Sequence, residues 1–337
     1  MRAIPLTRAS QLIDAAAALE DMGFSPERVL RRAGLPPWHF CEPDDLIPYR
    51  DYHIFMQYAA RATGTETFGL RAAASKSFES IGTFGTVVAR SLTVNHLLGT
   101  VCRVIPCHNS GSSFWLAEDG DGLWLCRRPV EIFDAGRRQT EQYALMQMIK
   151  AVRLGAGPGW VPARIALLSD PQPALDETKA LAGAEIRYRQ EATAIAIPRA
   201  MLARAIGRRP DNAGASDKKL LGRLNGTAPA SDFAGSVRQV AGTLLREGTP
   251  QIETVAEIAG LPVRSLQRRL RAEGHSYSGL VGQARYLAAR DLLQGSEIKI
   301  TEIALDVGYS DAAHFNRAFR RWAGITPREF RRQRLYA

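Results

Sequence analysis

Cysteine is scarce in this 337-residue chain. The four present, Cys41, Cys102, Cys107 and Cys126, are too few and too scattered for a disulfide framework. Cys102 and Cys107 with His108 come nearest to a ligand cluster. Their spacing is wrong for a zinc knuckle and no second pair follows, so the plain reading is reduced apolar thiols in or near strands, with no metal. Lysine is scarce too: Lys76, Lys150, Lys179, Lys218, Lys219 and Lys299 are all there are, and most of the positive charge is arginine. Arginine suits planar recognition of phosphates and guanine edges, although GC-rich coding gives the same bias. No stretch approaches the roughly 18 to 20 apolar residues of a membrane span. Met1 to Ser10 carries arginines and Pro5 rather than an apolar signal core, so the expected location is the cytoplasm. There is no Gly-rich phosphate loop, since Gly155-Ala-Gly-Pro-Gly159 holds Pro158 and is not followed by Lys-Ser/Thr. Nor is there a Ser-His-Asp order with supporting context or a pair of carboxylates on one helix face. No catalytic residue and no cofactor is expected.

What is present is an ordinary globular composition, 45% hydrophobic and 23% charged, with a net charge of +10. That excludes a wholly disordered or collagen-like chain and leaves room for two domains. The charge calls for an acidic partner, nucleic acid or an anionic membrane surface. It is unevenly placed: half of it lies beyond Ser231, and from Leu261 onward basic residues outnumber acidic ones two to one. The basic third follows Arg208 to Asp232, a stretch rich in Gly, Ala, Asn, Asp and Pro in which Leu220, Leu221 and Leu224 suit one short helix. This gives an N-terminal domain over 1–207, a linker over 208–231 and a C-terminal domain over 232–337.

Upstream, apolar spacing predicts helices over Ala9 to Met22, Pro26 to Ala33 and Tyr49 to Thr63, the last with Tyr52, Phe55, Met56 and Ala59 on one face. Ser112 to Ala117 and Gly122 to Arg127 read as a hairpin around an acidic, glycine-containing turn. Arg137 to Leu154 reads as a substantially buried helix. A strand near Ala163 to Leu168, a helix near Ala174 to Leu181 and paired strands near Glu185 to Arg189 and Thr193 to Ile197 complete an α+β pattern. Downstream everything reads as helix, beginning with the stripe Phe233, Val237, Val240 and Leu244 and continuing through six or seven short helices.

That region contains a duplication. Val255-Ala256, three residues and Gly260 recur as Ile303-Ala304, three residues and Gly308, about 48 positions later, and each copy reads helix, glycine turn, helix. The glycine supplies the positive φ for a sharp exit from the first helix. Leu266 and Leu270, and in the second copy Phe315 and Phe319 with Trp322, are expected to pack the second helix back as core. The opposite face then carries Arg264, Gln267, Arg268 and Arg271 in the first copy. In the second it carries Ala312, Ala313, His314, Asn316, Arg317 and Arg320. Arg, Gln and Asn make paired hydrogen bonds to guanine and adenine edges. Tyr277 to Leu293 lies between the copies. A helix there is about 25 Å long, a length suited to holding two recognition helices about one duplex turn apart.

The run from Leu266-Gln267-Arg268-Arg269-Leu270 to Gly274 and the run from Val307-Gly308-Tyr309-Ser310-Asp311 through Phe315-Asn316-Arg317 resemble the double helix-turn-helix domain of AraC/XylS transcription regulators. So do Trp322, Gly324-Ile325-Thr326-Pro327 and Phe330-Arg331; the likeness spans Phe233 to Arg332. Less strongly, Leu30 to Gly34, Leu46-Ile47-Pro48, Thr63-Gly64, Phe68-Gly69-Leu70, Gly82 to Gly85 and Phe133 onward resemble the arabinose-binding-like sensory class that includes ornithine and arginine utilisation regulators. Two caps depart from the pattern, Pro262 standing for the usual serine and Lys299 for a serine that would complete a capping box with Glu302. Thr326-Pro327-Arg328-Glu329 keeps its capping box and predicts a last short helix.

The resemblance implies a sequence-specific regulator of transcription, expected to be an activator and a homodimer. It would bind double-stranded DNA half-sites and RNA polymerase and answer to a small-molecule effector, with no membrane partner. Base contacts are expected from Arg264, Gln267, Arg268, Ala312, His314, Asn316 and Arg317. Phosphate contacts are expected from Arg271, Lys299, Arg320 and Arg321; the ordinary alternative for each is a solvated charge. Arg285 is expected in an internal salt bridge with Asp291 or Glu302. His96, His108, Trp115, Trp124, Arg127, Arg128, Arg137 and Arg138 are pocket candidates that individually read as strand packing or surface charge, so no effector site is singled out. A cysteine-dependent enzyme fused to a DNA-binding domain, and an effector-independent DNA-binding protein, are the alternatives.

Overall fold

A computed structural model describes residues 3–36, 41–120, 122–207, 213–245, 248–295 and 297–334. The chain forms two compact units, Pro5–Pro229 and Ala230–Ala337, the second joined by Met1–Ile4. Ile4 is tied there by its backbone N–H, which donates to the Ser236 hydroxyl at 2.9 Å.

The first unit opens with β1 (Leu6–Arg8), α1 (Ser10–Asp21), α2 (Pro26–Arg32), β2 (Leu46–Pro48) and α3 (Tyr49–Thr63). There follow α4 (Phe68–Ala74), α5 (Gly82–Ala89) and α6 (Val94–His108). Next come β3 (Ser112–Asp119), β4 (Gly122–Pro129) and α7 (Arg137–Ala156). β5 (Arg164–Ala166), α8 (Pro173–Asp176), β6 (Glu185–Arg187), β7 (Thr193–Pro198), α9 (Arg199–Leu202) and α10 (Ala213–Gly226) complete it. One sheet runs in the order β3-β4-β7-β5-β6 and a second pairs β1 with β2. The expected hairpin is β3 and β4, in register from Ser112 opposite Pro129 to Asp119 opposite Gly122. The α+β reading of this unit holds, and helices cover the sheet with α3 and α7 buried along much of their length.

Several expectations are corrected. β6 and β7 are not each other's partners: β5 lies between them, parallel to β6 and antiparallel to β7, with Ile165 opposite Ile186 on one side and Ile195 on the other. Ile165 is fully buried, and a central strand satisfies its backbone groups on both edges where an edge strand cannot. The helix expected near Ala174 to Leu181 is split into α8 and a 3-10 turn over Lys179–Leu181. Cys102 and Cys107 lie on helix α6, and only Cys126 is in a strand.

Part of the stretch read as a linker is the helix α10, which belongs to the first unit. Its anchor is Arg8, whose guanidinium is fully buried. That group donates to the carbonyls of Cys107 and Asp44 and, across to α10, to the Leu224 carbonyl at 3.1 Å and the Thr227 hydroxyl at 3.0 Å. The Cys107 thiol donates to Asn225 Oδ1 at 3.1 Å. Leu224 itself is fully buried.

The second unit is all helix among its described residues: α11 (Phe233–Leu244), α12 (Ile252–Ile258), α13 (Val263–Ala272), α14 (Tyr277–Gly295), α15 (Ile300–Asp306), α16 (Ala312–Ala323) and α17 (Pro327–Arg334). Asp232 caps α11, accepting from Gly235 N–H at 2.6 Å. The expected stripe Phe233, Val237, Val240 and Leu244 is buried. The 19-residue α14, about 28 Å long at 1.5 Å per residue, belongs to two cores. Val281 and Ala284 pack with Ala241 and Leu245 of the α11 region, whereas Ala289 and Leu293 pack with Ile303, Phe315 and Phe319.

Close packing in the first unit makes two outcomes measurable. A Cβ on Gly69 would stand 2.0 Å from the Gln139 carbonyl oxygen, backbone against backbone, whereas one on Gly99 meets nothing within 4 Å. Gly69→Ala is expected to destabilise the protein by about 1–3 kcal/mol in urea titration, and Gly99→Ala to be neutral or to stabilise by up to about 1 kcal/mol. Arg8→Lys, which keeps the charge but not the fork, is expected to speed amide hydrogen exchange at Thr227 and Ala228 by about tenfold relative to the α7 amides.

Candidate DNA interface and effector cavity

The two duplicated segments close with the same backbone device. Gly260 takes φ +64 and Gly308 φ +80. In the first, Leu261 N–H donates to the Ala256 carbonyl at 2.9 Å and Gly260 N–H to that of Glu257 at 3.0 Å; in the second, Tyr309 donates to Ala304 and Gly308 to Leu305, both at 2.9 Å. This pair of reversed hydrogen bonds is the Schellman ending, which uses the last carbonyls of one helix and turns the chain into the next. The apolar faces then fold inward. Leu266 and Leu270 on α13, and Phe315 and Phe319 on α16, are buried.

The outward faces carry the expected side chains. Arg264, Arg268 and Arg271 are exposed on α13 with Gln267 half-buried beside them. On α16, Ala313, His314, Arg317, Arg320 and Arg321 are exposed and Ala312 and Asn316 half-buried. Asp311 caps α16, accepting from His314 N–H at 2.7 Å, and that bond holds its carboxyl below the usual carboxylate range. His314 meets the Tyr309 ring edge-on at 5.4 Å. By contrast α13 starts at Pro262 with no side-chain cap, and Lys299 at the start of α15 provides none either. Lys299 is exposed but stands apart from the recognition helix, at the N-terminus of the helix before it. The capping box of α17 forms as expected, with Thr326 N–H donating to Glu329 at 2.8 Å and Glu329 N–H to the Thr326 hydroxyl at 3.3 Å.

Two readings of this unit change. Trp322 is 44% exposed and not core. One face stacks on Tyr286 at 6.1 Å, and α16 ends one residue later. Arg285 donates to the Thr249 hydroxyl at 2.7 Å and lies over the Tyr309 ring at 4.9 Å, while Asp291 is held by Arg290 at 2.8 Å. Arg269, in the middle of the arginine run, faces inward. Its guanidinium sits 3.4 Å from the centre of the Phe233 ring and 3.6 Å from Glu273.

The first unit holds a cavity of about 70 Å³, walled by α3, α5, α6, α7 and the β3–β4 hairpin. Of the sequence candidates, His108 and Arg127 reach it. Arg137 lines a smaller neighbouring cavity that also touches Arg127. His96 and Arg138 are exposed, Arg128 lies near Trp115 and Glu191, and Trp124 lies under Arg164. Tyr49, Tyr52, Tyr143 and Gln11, which the sequence reading passed over, also line it. Arg127 donates to the Tyr49 hydroxyl at 2.7 Å, and that hydroxyl is 3.0 Å from Ser112 Oγ. His108 Nε2 is 3.0 Å from Gln11 Nε2, so His108 accepts there. Burial, with the Arg8 charge nearby, pushes His108 down to about 3. His53, next to Arg127, is likewise pushed down to about 3 by burial and by that charge, so both imidazoles are neutral.

Among the described residues no group of three His, Cys, Asp or Glu suits a metal ion, and no helix is long and apolar enough to cross a membrane.

Comparison with known proteins agrees with this architecture. The profile described as the arabinose-binding domain of AraC transcription regulator, N-term, matches residues 23–206, and a helix-turn-helix domain profile matches 255–333. The transcriptional regulator VirS of Mycobacterium tuberculosis is 25% identical over 333 residues, 97% of this chain and 96% of VirS. The ornithine utilization regulator of Pseudomonas aeruginosa is 34% identical over 82 residues, 24% of each chain. Among solved structures, the transcriptional regulator CdpR of Pseudomonas aeruginosa is similar over 91% of this chain and 96% of its own, with 18% identity and a TM-score of 0.43. The DNA-binding domain of AdpA, solved with a target DNA, has 28% identity and a TM-score of 0.27 over 31% of this chain and 93% of its own. The chain therefore belongs to the AraC family of DNA-binding transcriptional regulators, with an N-terminal domain of the arabinose-binding class.

Proposed function

We propose that this regulator reads DNA sequence with α13 and α16 and is controlled by a small molecule held in the N-terminal cavity. The observation that carries the first half is the matched pair of Schellman turns, each leaving an Arg- and Gln/Asn-bearing helix face outward. Arg264, Gln267 and Arg268 on one helix and Ala312, His314, Asn316 and Arg317 on the other are the base readers in this account. Arg271, Lys299, Arg320 and Arg321 neutralise phosphates. The shared core of α14 fixes the spacing of the two helices, so that they enter successive major grooves of one duplex face.

Effector control rests on the cavity and on its link to α10. His108 lines the cavity, and its neighbour Cys107 offers its carbonyl to Arg8, which also holds the Leu224 carbonyl and the Thr227 hydroxyl. A ligand that moves the end of α6 therefore biases the chain just before the DNA-binding unit, a population shift between two presentations of that unit. We further propose a cytoplasmic homodimer that activates transcription through RNA polymerase. The activator direction draws on RhaS of Enterobacter sp., named a transcriptional activator, which is 36% identical over 83 residues, 24% of this chain and 30% of RhaS. The cysteines give no support to an enzymatic role: burial pushes the Cys102 thiol up to about 11 and raises Cys107 and Cys126, opposite to what a nucleophile needs.

In fluorescence anisotropy on the protein's own operator, Arg268→Ala is expected to cost about 1–3 kcal/mol and to relax base preference at one position. Arg321→Ala is expected to weaken operator and random DNA alike and to reduce the salt slope by about 1. Equal affinity of the unaltered protein for operator and random DNA would overturn the assignment.

A further inference from the structure

What the cavity holds is constrained by its own chemistry, given the sensor role proposed above. Arg127 is 4% exposed, and among the described residues its guanidinium makes one hydrogen bond, the donation to the Tyr49 hydroxyl at 2.7 Å. Among the described residues no carboxylate lies within 4.0 Å of it. Glu141, which shares a neighbouring cavity wall with Arg127, accepts at Oε1 from Leu168 N–H at 2.7 Å and from the Thr193 hydroxyl at 2.6 Å, and its Oε2 is buried without a hydrogen-bond partner. A guanidinium does not deprotonate, so a buried one without a close anion is unfavourable until an anion reaches it. The Tyr52 hydroxyl, on a residue 1% exposed, is buried with no hydrogen-bond partner and feels the Arg127 charge. Both side chains line the cavity, and so does His108, whose Nδ1 is also buried and unpartnered.

The remaining wall is chiefly apolar and aromatic, with Phe84, Val101, Ile105, Phe114 and Leu125 among its members, and no Asp or Glu lines it. Gln147, whose Oε1 and Nε2 are buried without a hydrogen-bond partner, also lines it and offers a bound molecule a neutral polar contact besides the guanidinium. An amino acid or amine would bring an ammonium group to a wall that holds a buried cation and no Asp or Glu; Asp14, behind that wall, accepts from the Tyr143 hydroxyl at 2.8 Å. We propose that the cavity is a site for a compact monocarboxylate with an apolar, ring-sized body. Its carboxylate is taken by the free guanidinium nitrogens of Arg127 and by the Tyr52 hydroxyl, and its body lies among the aromatic side chains. This departs from the sugar that the name of the domain class suggests.

Calorimetric titration of the full-length protein with phenylacetate, phenylacetamide, 2-phenylethylamine and L-arabinose at up to millimolar concentration tests the assignment. These probes share or lack the charge and the ring independently. Phenylacetate is expected to bind about tenfold tighter than the neutral amide, in line with one charge-assisted hydrogen bond, with the amine and the sugar weaker still. Arg127→Gln is expected to bring phenylacetate to the level of the amide. Should that variant fail to fold, Tyr52→Phe is expected to weaken phenylacetate several-fold while leaving the thermal midpoint of the free protein near its original value. Equal binding of acid and amide, tighter binding of the amine or the sugar, no binding by any of the four, or an acid preference that survives Arg127→Gln or, where that variant does not fold, Tyr52→Phe would each overturn the proposal. Phenylacetate that binds with the expected preference yet leaves operator affinity unchanged would instead count against effector control and leave the ligand class standing.

Discussion

The reversed hydrogen-bond pair that ends α12 and α15 is the constraint on which the DNA-binding unit depends. With Gly260 and Gly308 at positive φ, each first helix stops at a fixed point and each second helix starts at a fixed angle. Only then do Leu266 and Leu270, or Phe315 and Phe319, reach the core. The same geometry turns their neighbours Arg268 and Arg317 to solvent. Core formation and presentation of charge are thus one event. A side chain at either glycine would have to adopt a left-handed conformation that L residues disfavour, and both the packing and the outward face would be lost together.

α14 plays the corresponding part between the two motifs. A helix that contributes Val281 and Ala284 to one core and Ala289 and Leu293 to another cannot bend at low cost, because bending would open one of them. In the N-terminal unit two buried arginines divide the work. Arg8 is satisfied by backbone carbonyls and fastens α10, so its charge serves architecture. The Arg127 guanidinium makes one hydrogen bond among the described residues, to a tyrosine, and lines the cavity. The contrast between a satisfied and an unsatisfied buried cation separates a structural residue from a binding residue more sharply than burial alone.

Much of the C-terminal unit was legible in the sequence because its signals are local. A glycine at equal offsets, apolar residues at helical spacing and an intact capping box at Thr326 and Glu329 each act within a few residues. Trp322 was misread for the same reason. It continues the stripe of Phe315 and Phe319, yet it stands 44% exposed beside the end of α16 at Ala323, which the stripe alone does not reveal. The N-terminal unit was less legible where long-range pairing decides. The placement of β5 between β6 and β7 depends on which edges are satisfied, and the cavity draws Tyr49, His108, Arg127 and Tyr143 from four separate elements. His108 and Arg127 stood among the sequence candidates, but nothing near them in the chain distinguishes them from His96 or Arg138. Only the fold brings them to one space.

Selection of bound duplexes from a randomised DNA library by the full-length protein tests most directly whether two recognition helices held by α14 read one DNA face. The account predicts an enriched site of two short, dissimilar elements whose centres lie about one helical turn, roughly 10 base pairs, apart, with Arg268→Ala degrading one element and Arg317→Ala the other. A pool with no enriched sequence, or a single element that both variants degrade equally, would contradict it.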